Sequence, residues 1–388
     1  MLSRRTFHET TPNALTVALR ERRARGGEMI DLTVSNPTQA GITYPKDAIL
    51  RALSDSRALV YEPEPFGMAS AREAIARTLT EQGTAIDASR VALTASTSEA
   101  YSFLFKILCD PGDEILVAAP SYPLFDLLAS FESVRLVPYR LAYDGEWHVD
   151  LDSLRRARSP RTRAILVVTP NNPTGSYIKT NELAAMAAMG LPIVSDEVFA
   201  PYALKDDPRR ATSALEAEGT LVFALSGLSK LAALPQMKLG WIAAGGPRAL
   251  VDEAMARLEL VADSFLSVGA PVQHALPALL ASRSVAAGAI AERTRTNLAT
   301  LRASISPTSP ASLLDVEGGW YATLRLPRTQ SEEAWSLELL ERDGVYVHPG
   351  HFFDFADEAY VVVSLLTPEH DFAEGARRLA ARVVAASG

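Results

Sequence analysis

Lys230 follows a run of apolar residues that is typical of a buried strand, a position from which a side chain can do chemistry. The run covers residues 220–225, and the residues from 226 to the lysine are Ser, Gly, Leu, Ser and Lys. A lysine amine can form a Schiff base with an aldehyde cofactor, and nearby hydroxyl groups with a second cation can hold a cofactor phosphate. An isolated lysine is more often part of a surface turn. The catalytic interpretation of Lys230 therefore depends on which residues the other strands place beside it.

Two other apolar runs end in polar side chains that suit such a cofactor. Residues 169–175 end one run and place the amide of Asn172 at its carboxyl end, and residues 193–195 lead into the carboxylates of Asp196 and Glu197. Ligands bind at the carboxyl ends of strands in open α/β sheets. A carboxylate there can keep a pyridine nitrogen protonated, so that the ring accepts electrons. A plain turn at Asn172, and helix-capping or solvated acids at the carboxylate pair, explain the same residues without a ligand.

Two further segments add a phosphate site and an aromatic ring. Residues 94–99 join a strand to a helix and offer hydroxyls and free N–H groups at a helix N-terminus, which is a phosphate cradle. A capping box between Ser96 and Glu99 explains the segment equally well, and both interpretations can hold together. Residues 119–123 place Tyr122 at a strand end, where its ring can stack on a planar cofactor. Four strand ends and one lysine are therefore expected to meet in one crevice.

The elements that position these residues follow from the alternation of apolar strand-like runs with helical patterns. Helical periodicity appears, for example, in residues 98–108 and 181–189. This alternation predicts an α/β fold with a mostly parallel sheet covered by helices on both faces. The strand-like runs are residues 91–94, 114–117, 134–137, 164–169, 192–195, 221–225 and 240–244.

The last third of the chain has a different pattern, which predicts a second, smaller domain. Residues 248–265 and 277–304 are strongly helical. Three expected parts follow: an N-terminal segment, 1–40, that packs with the small domain, a large domain, 41–275, and a small α+β domain, 276–388. The expected elements of the small domain are strands at 319–326, 345–347 and 360–365, a helix at 331–343 and a final helix from 368.

Composition excludes several classes of protein. The chain has 388 residues, of which 48% are hydrophobic and 22% charged, which is typical of a globular protein with a sizeable core. The net charge of -8 argues against a general binder of nucleic acids or anionic membranes. The single cysteine, Cys109, excludes an intrachain disulfide, and no apolar run reaches the about 20 residues that span a bilayer. We therefore expect a cytoplasmic protein.

Taken in order, these segments resemble the class I/II aminotransferases, the fold-type I enzymes that use pyridoxal 5′-phosphate. The resemblance covers essentially the whole chain, and it implies a mostly parallel seven-stranded sheet between helices with a smaller α+β C-terminal domain. The segments that carry it are Tyr61 with Gly67, residues 72–76, 111–114, 120–123, 172–175, Asp196 and Glu197, Ser229 and Lys230, Lys238 with Gly240, and Gly318 with Gly319.

The resemblance implies a role for each matching residue at the cofactor ring. Lys230 becomes the Schiff-base lysine and the general acid and base of the proton shift. Asp196 pairs with the pyridine nitrogen, Asn172 donates to the ring hydroxyl and Tyr122 stacks on the ring face.

The resemblance also implies a phosphate site and a homodimer. Thr97 and Ser98 are expected to hold the phosphate together with a serine near Lys230. The usual position of that serine is taken by Gly227, so Ser226 and Ser229 are both candidates. Tyr61 matches a tyrosine that reaches the phosphate in the neighbouring subunit, which implies a homodimer.

Two positions near the cofactor depart from the family pattern. Lys238 stands where an arginine is usual, which keeps the charge but loses the bidentate fork. Phe199 stands where a tyrosine commonly donates to the ring oxygen. Losing that donor is expected to favour the protonated Schiff base and to raise its pKa.

A third departure concerns the substrate. Val362 stands where the family generally has the arginine that binds the substrate α-carboxylate, and residues 345–369 contain no arginine. Either another cation replaces it or the substrate is not an ordinary α-amino acid. The candidates are Arg325, which is also consistent with an outward-facing strand residue, and His348 or His351, which could instead order their loop.

These features favour an aminotransferase that moves an amino group between an amino acid, or a related amine, and a 2-oxo acid. A pyridoxal-phosphate-dependent lyase or decarboxylase is the alternative, and the missing arginine keeps it open. A cofactor-binding regulator on the same fold is a third hypothesis. Known regulators of that kind carry a DNA-binding domain, for which we expect no room before Ser35.

Overall fold

The computed structural model of the chain describes residues 2–6, 11–357 and 359–387. Residues 1 and 7–10 of the expected N-terminal segment therefore lie outside the described part. The strands, in chain order, are β1 (Ile30–Asp31), β2 (Val91–Thr94), β3 (Glu114–Ala119), β4 (Arg135–Tyr143), β5 (Trp147–Val149), β6 (Thr162–Val168), β7 (Ile193–Asp196), β8 (Val222–Gly227), β9 (Gly240–Gly245), β10 (Ser312–Leu313), β11 (Tyr321–Arg325), β12 (Val345–Tyr346), β13 (His348–Pro349) and β14 (Tyr360–Ser364).

Helices cover the faces of the sheets. Across the described ranges, no helix is both long and apolar enough to cross a membrane. The helices are α1 (Ala14–Ala24), α2 (Lys46–Leu53), α3 (Ala69–Glu81), α4 (Thr97–Leu108), α5 (Phe125–Phe131), α6 (Leu151–Ala157), α7 (Thr180–Ala187), α8 (Leu228–Leu231), α9 (Arg248–Phe265), α10 (Ala270–Ala281), α11 (Arg283–Ser304), α12 (Glu332–Glu338), which continues as a π-helix (Leu339–Asp343), and α13 (Glu369–Ser387).

The central sheet has the strand order β2-β9-β8-β7-β6-β3-β4-β5. Five of its strands, β3, β4, β6, β7 and β8, pair in parallel, whereas β9 is antiparallel to both of its neighbours. All seven expected runs form strands of this sheet, so the α/β fold with a mostly parallel sheet is confirmed. The eighth strand, β5, was not expected. It has three residues and pairs antiparallel with β4 at the sheet edge.

The central strands are buried on both faces, which is why they appear as continuous apolar runs. Successive side chains of a strand point to opposite faces. Ile115 accordingly packs on one face with Phe105 and Leu258 of α4 and α9, and Leu116 packs on the other with Met186 of α7. The carboxyl ends of the parallel strands therefore meet at one edge, held rigidly from both sides.

The small C-terminal sheet is antiparallel in the order β10-β11-β14-β13. One face packs on α11 and α13 through residues such as Leu301, Val361 and Phe372. The other face turns toward the large domain, where the Thr323 hydroxyl donates to the Pro173 carbonyl at 3.4 Å. The N-terminal strand β1 pairs in parallel with β12 of this part. The domain boundaries at 40 and 275 stay predictions.

The helical stretch expected over residues 277–304 is confirmed as helical, but it is divided between two helices. Two helices, α10 and α11, meet at Ser282, and α10 begins seven residues before Pro277 at Ala270. The Ser282 hydroxyl donates to the Leu279 carbonyl at 3.2 Å, a local bond by which serine competes with helix continuation. Helix α10 packs on α2 and α3, whereas α11 packs on α13, so the break separates helices that serve different cores.

Candidate active site

Lys230 lies in the short helix α8, directly after β8. Its Nζ lies 4.8 Å from the ring centroid of Trp320 and 5.4 Å from that of Phe199, and it makes no hydrogen bond or ion pair with the described residues. Burial lowers the pKa of Lys230 to about 8, although the charge of Asp196 acts in the opposite direction. The uncharged amine, which is the nucleophilic form, is therefore more abundant near neutral pH than in an ordinary lysine, although the charged form still predominates below pH 8.

The backbone around Lys230 is held by two tyrosines that the sequence analysis missed. The Tyr202 hydroxyl donates to the Lys230 carbonyl at 2.6 Å, and the Tyr44 hydroxyl donates to the Ala233 carbonyl at 2.7 Å. The Tyr202 ring also packs edge-on against Trp320, with 5.1 Å between ring centroids. A useful signal was present, because Tyr202 follows Asp196 by six residues and so lies just past the same strand end.

Asp196 ends β7 and is buried at the carboxyl edge of the sheet. One carboxylate oxygen, Oδ2, accepts a hydrogen bond from the Tyr101 hydroxyl at 2.8 Å, and Oδ1 accepts one from the Val198 N–H at 3.1 Å. Burial raises the pKa of Asp196, while these two donors and the charge of Lys230 lower it. Tyr101 was also missed. The sequence feature that could have predicted Tyr101 is its position on the apolar face of α4, four residues after Thr97.

Glu197, the neighbour of Asp196, has a different role. Its carboxylate accepts hydrogen bonds from the Ser195 hydroxyl at 3.0 Å, the Ser213 hydroxyl at 2.9 Å and the Ala214 N–H at 2.8 Å. Burial raises its pKa to about 7. Both carboxylates are buried, so the solvated interpretation of the pair is wrong. Glu197 holds the turn at Ala214, and only Asp196 faces the lysine.

The two asparagines of residues 171 and 172 also differ. The Asn171 amide donates to the Pro120 carbonyl at 3.1 Å and to the Thr174 hydroxyl at 3.0 Å, so it stabilises the turn. Asn172 is buried, and its Oδ1 has no hydrogen-bond partner within the described structure. Oδ1 of Asn171 is unpaired in the same way, so the two residues differ in their amide N–H groups: those of Asn172 donate to no described residue and are available to a ligand.

The start of α4 forms only half of the expected capping box, because Glu99 binds the N–H of Ala95 and not that of the N-cap residue Ser96. The Ser96 hydroxyl accepts from the Glu99 N–H at 3.2 Å, and the Glu99 carboxylate accepts from the Ala95 N–H at 2.7 Å. Thr97 and Ser98 are half-buried, and their hydroxyls make no hydrogen bond to any described residue. Because the first N–H groups of a helix have no partner within it, this end can bind an anion in addition to being capped.

The residues near Lys230 that were expected to bind phosphate differ in exposure. Ser226, in β8, and Ser229, in α8, are both half-buried. Lys238 is exposed, follows a 3-10 turn (Pro235–Met237) and has a left-handed φ of 50°. Its side chain is therefore free to move toward an anion, but it is not fixed by the protein.

The two tyrosines expected at the cofactor lie in different settings. Tyr122 is 37% exposed and packs edge-on against Phe125, with 5.7 Å between ring centroids. Tyr61 is 79% exposed and lines a surface pocket with Met68 and Leu266. No described contact joins Tyr61 to Lys230 within one subunit.

Val362 is buried on β14, between Thr323 of β11 and His348 of β13. Since Thr323 reaches Pro173, this face of the small sheet looks toward the loop that carries Asn172. Burial lowers the pKa of His348, with a smaller opposing effect of Asp31, so His348 is not a cation at neutral pH. The strand neighbours of Val362 therefore supply no positive charge.

The other two cation candidates are both exposed, although Arg325, two residues along β11 from Thr323, shares the face of Thr323. The His351 N–H donates to the Glu332 carboxylate, and its Nδ1 lies 3.2 Å from the same group, so His351 orders its loop. Arg325 is exposed at the end of β11, which fits an outward-facing strand residue.

A family model described as aminotransferase class I and II matches residues 27–379. The chain belongs to this family. Class I and II aminotransferases generally depend on pyridoxal 5′-phosphate. The Asn172 amide, whose N–H groups donate to no described residue, the buried Asp196 carboxylate and the partner-free Lys230 amine are compatible with that cofactor, because they offer a donor, an anion and a nucleophile at one sheet edge.

Curated relatives in this family include the glutamate-pyruvate aminotransferase AlaA of Escherichia coli, 28% identical over 260 residues, which are 66% of this chain and 64% of that protein. An alanine aminotransferase of Mycobacterium tuberculosis is 29% identical over 266 residues, 66% of this chain and 61% of the relative. The matched region thus spans less than two thirds of the length of these family members.

Solved structures of family members share the fold over almost the whole chain. The alanine aminotransferase of Pyrococcus furiosus has a TM-score of 0.89 at 23% identity and covers 99% of this chain and 100% of its own. A double mutant of the aspartate aminotransferase of Thermus thermophilus has a TM-score of 0.82 at 26% identity, with 99% of each chain covered. The expected fold-type I architecture is therefore confirmed.

Proposed function

We propose that this protein is a pyridoxal 5′-phosphate-dependent aminotransferase that transfers an amino group between an amino acid, or a related amine, and a 2-oxo acid. The observation that carries the proposal is the half-buried Lys230, whose amine lies 4.8 Å from the ring centroid of Trp320, has no ion-pair partner among the described residues and interacts electrostatically with the carboxylate of Asp196. The names of the Escherichia coli and Mycobacterium tuberculosis relatives support the same reaction class.

The residues proposed to hold the cofactor lie around this amine. Asp196 would pair with the ring nitrogen, Asn172 would donate its free amide and Tyr122 would cover one ring face. When bound, pyridoxal 5′-phosphate supplies an aldehyde carbon and an electron-accepting ring. The phosphate would be held by hydroxyls and a cation, namely Thr97, Ser98, Ser226 or Ser229, and Lys238.

The proposed role of Lys230 in proton transfer follows from its surroundings. An acid–base group works best when its pKa lies near the working pH, and the pKa of the Lys230 amine is about 8. The rings of Phe199 and Trp320 lie within 5.4 Å of Nζ and keep water from that side. Nζ can therefore accept a proton from the substrate α-carbon and return it without leaving the site.

A homodimer is proposed because apolar side chains are exposed beside Tyr61. Leu59 is 90% exposed, Val60 is 55% exposed and Tyr61 itself is 79% exposed. Contiguous exposed apolar residues mark interaction surfaces. A second copy of the chain would cover them and bring Tyr61 to the phosphate of the neighbouring site.

Light scattering tests the dimer. Val60→Asp is expected to give the monomer mass, whereas Val384→Asp, which changes a valine that is 56% exposed on α13, should leave a dimer. If both variants are dimers, the interface lies elsewhere on the chain, and a monomeric unaltered protein would refute the homodimer.

A cytoplasmic location is also proposed, and its support is the single cysteine, Cys109.

A panel of amino donors and 2-oxo acids tests the function. Alanine, glutamate and pyruvate, which the names of the relatives suggest, should be assayed first, with amino and oxo products measured by chromatography. Lys230→Ala is expected to abolish transfer, whereas Lys205→Ala, which removes a lysine paired with Asp315, should retain it. Unchanged transfer by Lys230→Ala would refute the assignment.

A lyase or decarboxylase is the second candidate, because the uncharged surroundings of Val362 leave open which bond at the α-carbon is held perpendicular to the ring. The same incubations separate the two. In an aminotransferase, the amino donor converts the bound cofactor to its amine form and is itself released as one equivalent of the 2-oxo acid. Release of carbon dioxide, or of pyruvate from a donor other than alanine, would favour the second candidate.

A further inference from the structure

The Tyr101 hydroxyl donates to Oδ2 of Asp196 at 2.8 Å, and this contact joins two elements that are far apart in the chain. Tyr101 belongs to α4 and is 2% exposed, whereas Asp196 ends β7. The Val198 N–H binds the other oxygen, Oδ1. Each carboxylate oxygen thus has one donor, and both keep room to accept another hydrogen bond.

The Tyr101 ring is fixed by aromatic neighbours. Phe125 packs edge-on against it, with 5.2 Å between ring centroids, and Phe105 lies 6.1 Å away. Helix α4 itself packs on α9 and on the strands β8 and β9. Because the ring cannot turn away without disturbing this core, the hydroxyl stays at the carboxylate.

The electrostatics make Tyr101 a permanent donor. Burial, and then the charge of Asp196, raise the pKa of the Tyr101 phenol well above its ordinary value, so the phenol keeps its proton. Burial alone would favour the neutral form of Asp196, and the hydrogen bond from Tyr101 opposes this effect. A hydrogen bond to a charged acceptor is stronger than one between neutral groups.

We propose that Tyr101 is a positioning residue that holds the Asp196 carboxylate ionised and aimed at the ring nitrogen of pyridoxal 5′-phosphate, and so sets the affinity for the cofactor. The inference rests on the proposed function. It assigns to Tyr101 no direct contact with the cofactor, and its effect must pass through Asp196.

Tyr139 provides a matched control. It is 1% exposed, and its hydroxyl donates to the Leu166 carbonyl at 3.1 Å in the core on the opposite face of the central sheet. Tyr101→Phe and Tyr139→Phe therefore each remove one buried phenol hydroxyl. Only the first removes a donor from Asp196.

The experiment measures the dissociation constant of pyridoxal 5′-phosphate from the protein by equilibrium dialysis, with thermal unfolding of the cofactor-free protein as a check on folding. Tyr101→Phe is expected to raise the dissociation constant about ten-fold, whereas Tyr139→Phe should change it less than about two-fold. If Tyr101→Phe is isolated unfolded, Tyr101→Met serves as a second hydroxyl-free variant.

A cofactor analogue tests whether the effect passes through Asp196. In 1-deazapyridoxal 5′-phosphate a CH group replaces the ring nitrogen, so Tyr101→Phe and the unaltered protein should bind it about equally. Equal weakening for both compounds, or no weakening for either, would overturn the inference. If the unaltered protein binds no pyridoxal 5′-phosphate, the proposed function fails instead, and the two failures are thereby distinguished.

Discussion

Gly227 at the end of β8 and Gly240 at the start of β9 lie so close together that a Cβ atom on Gly227 would be 3.0 Å from the Cα of Gly240. The same atom would be 3.0 Å from the Leu239 carbonyl oxygen, and a Cβ on Gly240 would be 3.2 Å from the Ser96 carbonyl carbon. Two strands and the start of α4 therefore meet where side chains do not fit. This close contact explains why a residue without a side chain stands at position 227.

Gly227→Ala is expected to lower the free energy of unfolding by about 1–3 kcal/mol, because the neighbouring atoms are backbone and cannot move aside cheaply. Weaker binding of pyridoxal 5′-phosphate should accompany it, because Ser226 and Lys230 flank the site. Urea denaturation and dialysis measure the two effects. Gly288→Ala, in α11 with no atom within 4 Å, is the control and should be neutral or stabilising. Equal effects of both variants would contradict the prediction.

The rate at which cofactor-free protein takes up pyridoxal 5′-phosphate is expected to rise with pH through about 8. Burial lowers the pKa of Lys230 to about 8, and the amine is a nucleophile only above that pH, when it has lost its proton. Stopped-flow absorbance at a series of pH values measures the rate. Free Nα-acetyl-lysine, whose amine has the ordinary pKa of about 10.4, is the reference compound. A midpoint near 10 for the protein would contradict the prediction.

Phe199→Tyr is expected to shift the absorbance change of bound pyridoxal 5′-phosphate to lower pH. Phe199 is buried against Trp320 with 5.2 Å between ring centroids, and its ring lies 5.4 Å from the Lys230 Nζ. A phenol there adds a hydrogen-bond donor to the hydroxyl oxygen of the cofactor ring, and this donor disfavours the protonated Schiff base. Spectra recorded against pH give the midpoint. Phe199→Leu, which adds no donor, should not move it downward, and a downward shift in both variants would rule out the hydroxyl as the cause.

An amino acid and the matching amine without the α-carboxylate are expected to differ in kcat/KM by less than about ten-fold. A hydrogen bond to a charged group contributes about 1.5–3 kcal/mol, or more than about ten-fold, and the strand neighbours of Val362, Thr323 and His348, supply no cation. Alanine and ethylamine are a suitable pair, assayed with one 2-oxo acid. Discrimination of several hundred-fold would show that another cation, for example from a second subunit, binds the carboxylate.

Much of the fold was predictable because the central strands are buried on both sides. Each of the seven expected runs is a strand, and the predicted helix at residues 248–265 matches α9. Short β5 was missed because three residues give little periodicity. The helix break at Ser282 was missed because helical patterns continue on both sides and only the packing partners change.

The sequence by itself determined the order of the motifs, and with it the strand ends that carry Asn172, Asp196 and Lys230. Local pattern is sufficient for this, because an apolar run followed by a polar residue places that residue at the end of a buried strand.

Only the tertiary structure decided which side chains meet there. Tyr101 is 95 residues before its partner Asp196, and Tyr202 binds the backbone of Lys230 from 28 residues away. Glu197, adjacent to Asp196, binds Ser213 and faces away from the lysine. Hydrogen bonds of this kind depend on strand order and on which face of a strand or helix a residue occupies, and neither is written in the local sequence.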